Sequence, residues 1–146
     1  MLALRKVAPK PGVTLEEVGV PDAPPRGEVK VEVLAAGICG TDLHIDDWAD
    51  GFKMMSGALP VTLGHEFCGR VTAIGDGVTS LKVGDRVVVQ PAIGCGVCAP
   101  CQAGARHDCL NRNAIGMHRP GGFAPYVNAP ADYCIAIPAS MSDLHG

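Results

Sequence analysis

Alternation between apolar and polar positions is the strongest regular signal in this chain. Residues 29–34 read Val-Lys-Val-Glu-Val-Leu, a period of two that predicts a strand with one buried face. Similar short β-branched runs predict strands over residues 2–7, 14–18, 67–74, 86–89, 123–128 and 133–137. Gly75-Asp76-Gly77 and Gly84-Asp85 supply turns between them, because glycine and aspartate tolerate positive φ. The helical pattern is confined to residues 41–47, with Thr41 as the expected N-cap. Residues 54–58 read as a surface excursion. Many short strands with frequent turns predict a mainly β domain, a sandwich or a partly open barrel.

Composition narrows the class further. A length of 146 residues suits one domain with a real core. The net charge of −3 is spread along the chain, with no basic block for nucleic acid or a membrane surface. No apolar run approaches the ~20 residues of a membrane helix. The first residues, Met1-Leu2-Ala3-Leu4-Arg5-Lys6, lack the pattern of a secretory signal, so the expected location is cytoplasmic. No G-x-G-x-x-G follows a strand, and no βαβ alternation is present, so a dinucleotide fold is not expected within these residues. Residues 142–146 read as the opening of a helix.

Seven cysteines change the picture most. An odd number argues against a disulfide framework, and clustered cysteines in a reducing compartment more often hold metal. Cys95, Cys98, Cys101 and Cys109 lie within one short stretch, the first three separated by two-residue gaps. That spacing lets the thiolates curl around one tetrahedral ion, and zinc is the expected occupant. Four thiolates close the coordination shell and suppress Lewis acidity, so this zinc is expected to be structural. Iron–sulfur ligation is the weaker alternative, and a zinc knuckle used only for interaction remains open.

A second cluster has the makings of an open metal site. Cys39 lies in Gly37-Ile38-Cys39-Gly40-Thr41-Asp42-Leu43-His44, just after a predicted strand. His65 and Glu66 lie in Gly64-His65-Glu66-Phe67, just before another. One thiolate, one imidazole and one carboxylate about balance Zn²⁺ and leave room for a substrate oxygen. Asp42 can hold the other ring nitrogen of a zinc histidine. Thr41 offers a hydroxyl near the metal, and His44 an imidazole that returns a proton to solvent. Cys68 and Cys134, among apolar neighbours, are expected in the core. His107, His118 and His145 have no nameable partner and are expected in solvated positions. Trp48 and Phe52 either line a pocket or pack over the short helix.

These motifs, in this order and together with Val83-Gly84-Asp85-Arg86-Val87, resemble the zinc-containing medium-chain alcohol and polyol dehydrogenases. The resemblance covers essentially residues 1–146 and corresponds to the family's GroES-like catalytic domain, a partly open β-barrel with short helices and a zinc-binding loop. It implies Cys39 and His65 as catalytic-zinc ligands, and Glu66 as a ligand or close alternate. It implies that Thr41 takes the alcohol proton and that His44 passes it outward. It further implies NAD or NADP as hydride carrier, bound by a domain outside these residues, which by themselves are expected to be inactive. Substrates would be small alcohols or polyols, and the full-length enzyme a dimer or tetramer. The stretch from Asn113 to Ala124 looks similar to the threonine and sorbitol dehydrogenase branch. Threonine dehydrogenases tend to carry histidine where this chain has Ala92, and polyol dehydrogenases often show Glu-Pro where it has Gln90-Pro91. The alternatives are therefore an L-threonine 3-dehydrogenase-like domain or a non-catalytic zinc-stabilised β-domain. A zinc-free reductase on the same fold is disfavoured by both metal clusters.

Overall fold

In the computed structural model, which describes residues 1–145, the period-two valines form the centre of an antiparallel sheet. The strands in chain order are β1 (Leu2–Lys6), β2 (Thr14–Glu17), β3 (Glu28–Gly37), β4 (Val61–Thr62), β5 (Glu66–Ile74), β6 (Arg86–Val89), β7 (Ala92–Ile93), β8 (Asn113–Ala114), β9 (Tyr126–Pro130) and β10 (Cys134–Ala136). The helices are α1 (Gly40–Asp46) and α2 (Ala99–Gln102), with short 3₁₀ helices at Asp50–Ala58, Arg106–Asp108 and Ala131–Tyr133. The main sheet runs β10-β6-β5-β3-β9, a smaller one runs β2-β1-β4, and β7 pairs with β8. The main sheet keeps two free edges, β10 and β9, which fits the partly open barrel expected.

The core follows the pleat. Val29 and Val31 of β3 are fully buried and face Val71, Val87 and Val127 from the neighbouring strands, while Lys30 and Glu32 point away. A second cluster, Ile45, Met55, Val61 and Leu63, fixes α1 and the 3₁₀ helix Asp50–Ala58 against β4. Residues 54–58 lie at the surface, as expected, but as part of a 3₁₀ helix: Met54, Ser56 and Gly57 are exposed and Met55 is buried at its base. A lone buried methionine gave the sequence pattern too little to mark it.

Several boundaries move for identifiable reasons. The strand expected over 123–128 is displaced to Tyr126–Pro130. Residues 121–123 instead bond backbone to backbone with 62–64, and the Phe123 carbonyl accepts from Leu4. The strand expected over 133–137 shortens, because Tyr133 closes a 3₁₀ turn. Helix α1 starts one residue early, with Cys39 rather than Thr41 at its N-cap; the Asp42 carboxylate accepts the Cys39 N–H at 3.0 Å. Residues 142–145 make a turn and not a helix, with Ser142 Oγ 2.7 Å from His145 Nδ1, and Gly146 lies outside the described residues. Cys68 and Cys134 are buried in β5 and β10, as expected.

Lys6, which no apolar periodicity marks as a core residue, is fully buried. Its Nζ donates to the carbonyls of Asp46 (2.9 Å) and Gly12 (3.1 Å) and lies 5.3 Å from the Trp48 ring centre. It thereby ties β1 and the loop after it to the C-terminal end of α1. Burial lowers the ammonium's pKa, against the opposing fields of Asp46 and Asp47. Trp48 sits at φ +55°, a left-handed position that helix ends usually give to glycine.

Candidate metal centres

The register of β3 against β5 creates the first cluster. Gly37 pairs with Glu66 and Ala36 with Phe67, so the exit of one strand lies beside the entrance of the other. Two register shifts within the pair set this alignment. Beyond Gly37 the chain turns into α1 with Cys39 at its start. Gly64 precedes His65 at φ +88°, and a Cβ there would lie 2.6 Å from the Phe123 ring, so only glycine fits the bend. The result brings the ligand atoms of Cys39, His65 and Glu66 within 4.8 Å of one another.

Asp42 completes the arrangement from behind. One carboxylate oxygen accepts the Cys39 N–H, and the other lies 3.4 Å from His65 Nδ1. That separation makes an ion pair rather than a well-formed hydrogen bond, and neither of these two buried atoms has another partner among the described residues. The Asp42 carboxylate is the main reason the His65 pKa is raised to about 9, with burial opposing it and the Cys39 thiol adding to it. The Cys39 thiol is lowered, chiefly by the Thr41 backbone N–H and then by the His65 ring. Both shifts favour the charged forms, thiolate and imidazolium, and a divalent cation bound between them would displace the ring proton. With Asp42 on Nδ1, Nε2 is the nitrogen left for a metal.

Two cavities meet at His65. One, of about 340 Å³, is bounded by Thr41, Phe52, Met54, Met117, Arg112 and His118. The other, of about 520 Å³, extends past Glu66 and Gly37 to Val88, Gln90 and Ile135. His44 is exposed and stacks on Phe52 with ring centres 6.2 Å apart. Phe52 therefore lines a cavity, while Trp48 packs behind α1 over Lys6. His118, expected to be solvated and unpartnered, has a partner: its Nδ1 accepts the Ala114 N–H at 3.2 Å. Neither Arg112 nor His118 carries a spacing signal in the sequence, because the β7–β8 pairing and the turn after it bring them to the cavity.

The second cluster needs little tertiary help. Cys98 caps the single-turn helix α2, which carries Cys101, and Cys109 follows the 3₁₀ turn Arg106–Asp108. All four sulfur atoms lie within 4.8 Å of one another, and those of Cys98 and Cys109 are 3.8 Å apart. A tetrahedral zinc with Zn–S ~2.3 Å places its sulfurs ~3.8 Å apart, so the cage matches the ion. Backbone N–H groups of Cys95 and Asn111 donate to Cys109 Sγ at 3.2 and 3.3 Å. Backbone N–H groups of Val97 and Cys98 hold the Cys95 thiol down at about 6, while burial pushes Cys101 up to about 11. The Tyr133 hydroxyl accepts the Gly94 N–H at 2.8 Å and anchors the loop to the main sheet.

Comparison with known proteins places this geometry in a family. The alcohol dehydrogenase GroES-like domain matches residues 25–139. The chain belongs to this family. L-threonine 3-dehydrogenase of Idiomarina loihiensis is 38% identical over 143 residues, 98% of this chain and 41% of that protein. The L-threonine 3-dehydrogenase of Saccharopolyspora erythraea is 44% identical over 130 residues, covering 89% of this chain and 37% of its own length. Among solved structures, a short chain alcohol dehydrogenase of Escherichia coli CFT073 complexed with NADH superposes with a TM-score of 0.87 at 37% identity, over 99% of this chain and 40% of that one. The chain thus spans about two-fifths of the length of these relatives. Among the described residues, no helix of this GroES-like domain is long and apolar enough to cross a membrane.

Proposed function

We propose that this chain is the zinc-carrying catalytic domain of an NAD(P)-dependent alcohol or polyol dehydrogenase. The observation that carries the reading is the convergence of Cys39, His65 and Glu66 at a cavity wall, with Asp42 behind the histidine. Zinc bound there would supply Lewis acidity to an alcohol or carbonyl oxygen. Cys39, His65 and Glu66 would hold the ion, with Asp42 keeping the His65 ring turned toward it. Thr41, on the same cavity, relays the proton of the reacting hydroxyl, passing on its own O–H proton as it accepts that one. The exposed His44 returns it to solvent. The cage of Cys95, Cys98, Cys101 and Cys109 holds a second zinc with a structural task. NAD or NADP would be the hydride acceptor, a reading supported by the similar alcohol dehydrogenase complexed with NADH.

An L-threonine 3-dehydrogenase is the second reading, favoured by the relatives of that name. The domain outside these residues would carry the cofactor, and the complete enzyme would be a cytoplasmic dimer or tetramer acting on a small molecule. Metal analysis tests the core of the proposal. Two zinc ions per chain are expected, and Cys39→Ala is expected to lose one while the far-ultraviolet spectrum stays unchanged. A single ion in the unmodified chain, with no loss in Cys39→Ala, overturns it in favour of a zinc-stabilised binding domain. No dehydrogenase turnover is expected from residues 1–146 by themselves.

A further inference from the structure

The cavity of about 340 Å³ beside Thr41 and His65 has an uneven chemistry. Phe52, Met54 and Met117 give it apolar walls, and its polar groups away from the metal cluster include Arg112 and His118. No carboxylate is among the described residues that line it, although the chain carries 15 acidic residues against 12 basic ones. The His118 ring is fixed from behind. Its Nδ1 accepts the Ala114 N–H, and its own backbone N–H donates to the Ala114 carbonyl at 2.8 Å. With Nδ1 accepting, the ring proton sits on Nε2, which is left as a donor. Arg5, Arg86 and Arg119 each close on a carboxylate; the exposed Arg112, like Arg26, Arg70 and Arg106, has no ion-pair partner among the described residues, and of these four it alone lines this cavity.

The side chains of this wall therefore offer donors and almost no acceptors. Thr41 is the neutral hydroxyl of the cavity, and the reacting hydroxyl already engages it. Each additional hydroxyl of a neutral polyol needs an acceptor as well as a donor. A carboxylate or phosphate needs donors only, and a guanidinium supplies them in a planar fork that matches either group. Resting on the dehydrogenase reading above, we propose that the substrate carries an anionic group beside its reacting hydroxyl, and that Arg112 with His118 Nε2 selects it. The apolar walls then hold the short carbon chain between the two ends.

Calorimetric titration of the zinc-loaded chain tests this with three probes: lactate, glycerol phosphate and the neutral propylene glycol. Propylene glycol differs from lactate by a hydroxymethyl in place of the carboxylate. At least one anion is expected to bind about tenfold more tightly than propylene glycol, the effect of one charge-assisted hydrogen bond. Which anion binds tighter tells carboxylate from phosphate. Arg112→Gln is expected to reduce that preference about tenfold and His118→Phe to reduce it less. Arg106→Gln, a loop arginine outside this cavity, is expected to leave it unchanged. Equal binding of all three probes, absence of binding by both anions, or equal losses in Arg112→Gln and Arg106→Gln overturns the proposal. An anion held by the metal alone would ignore Arg112→Gln, which also overturns it. Zinc content of the same samples separates the two readings: two ions without anion preference sink only the substrate class, and one ion sinks the open site itself.

Discussion

Four cysteines on one loop surround a common centre, whereas Cys39 and His65 meet only because β3 and β5 pair at Gly37 and Glu66. The loop cage is made of like ligands, tied locally by backbone N–H groups and matched in size to a tetrahedral ion. The other cluster mixes thiolate, imidazole and carboxylate, borders two cavities, and has a buried aspartate behind its histidine. A closed shell of thiolates leaves a metal nothing to do but hold backbone. An open, charge-balanced shell leaves it electrophilic. The two regions show how ligand chemistry and setting distinguish a closed cluster from an open one within one domain.

The largest effect should come from emptying the loop. Chelation, or Cys98→Ser, is expected to release the β7–β8 ribbon while the five-stranded sheet persists, since apparent zinc-binding energies in small sites reach ~10 kcal/mol. Hydrogen exchange would read this as lost protection at Ala92–Ile93 and Asn113–Ala114 alone; global unfolding would erase the distinction between a pinned loop and a self-sufficient core.

Asp42→Asn sharpens the other side. It keeps an oxygen for the Cys39 N–H but removes the charge facing His65. Zinc affinity at this site is expected to fall about tenfold or more, with the loop ion untouched, as measured by competition with a chromophoric chelator. Without metal, the His65 midpoint should drop from about 9 toward its ordinary 6.5, because the raising partner is lost while burial still lowers it. Zinc uptake at this site should accordingly strengthen as pH rises, since the ring must lose its proton to bind. An unchanged midpoint would remove Asp42 from the site.

Lys6→Met asks how far the open site depends on distant packing. Two buried hydrogen bonds and the Trp48 contact are lost, so a destabilisation of about 2 kcal/mol is expected in urea unfolding. The effect should be visible first in Trp48 fluorescence, at the end of α1. Smallest is a difference in thiol reactivity. In the chelated chain, Cys39 and Cys95, held low, are expected to react with a thiol reagent near neutral pH. Cys134, pushed by burial to about 12, and Cys68, also raised, should wait for unfolding. Burial of the neutral Cys134 thiol stabilises the fold fully below its ordinary pKa of 9.0, and that share is lost as pH rises toward 12. Rapid labelling of Cys134 would contradict its place in the core.

Legibility in the sequence tracked how local each feature is. The strand at residues 29–34 and the turn glycines were readable because a pleat repeats every two residues. The four loop cysteines were readable because two-residue gaps set the thiolate separations almost by covalent geometry. Met55 and Lys6 were not, since a single buried methionine and a lysine seated between two carbonyls leave no periodic trace. Arg112 and His118 were equally silent.

By itself the sequence determined the mainly β character, the loop cage and the candidate ligands Cys39, His65 and Glu66 with Asp42 close by. Tertiary structure alone decided the β3–β5 register that joins them, the N-cap of α1 at Cys39, the orphaned contact of Asp42 with His65, and the donors that share a cavity with Thr41. The reason is physical. Spacing along a chain constrains atoms only over a few bonds, whereas the meeting of two strand ends is set by bulges, buried valines and a glycine bent beneath Phe123, all of which act through space.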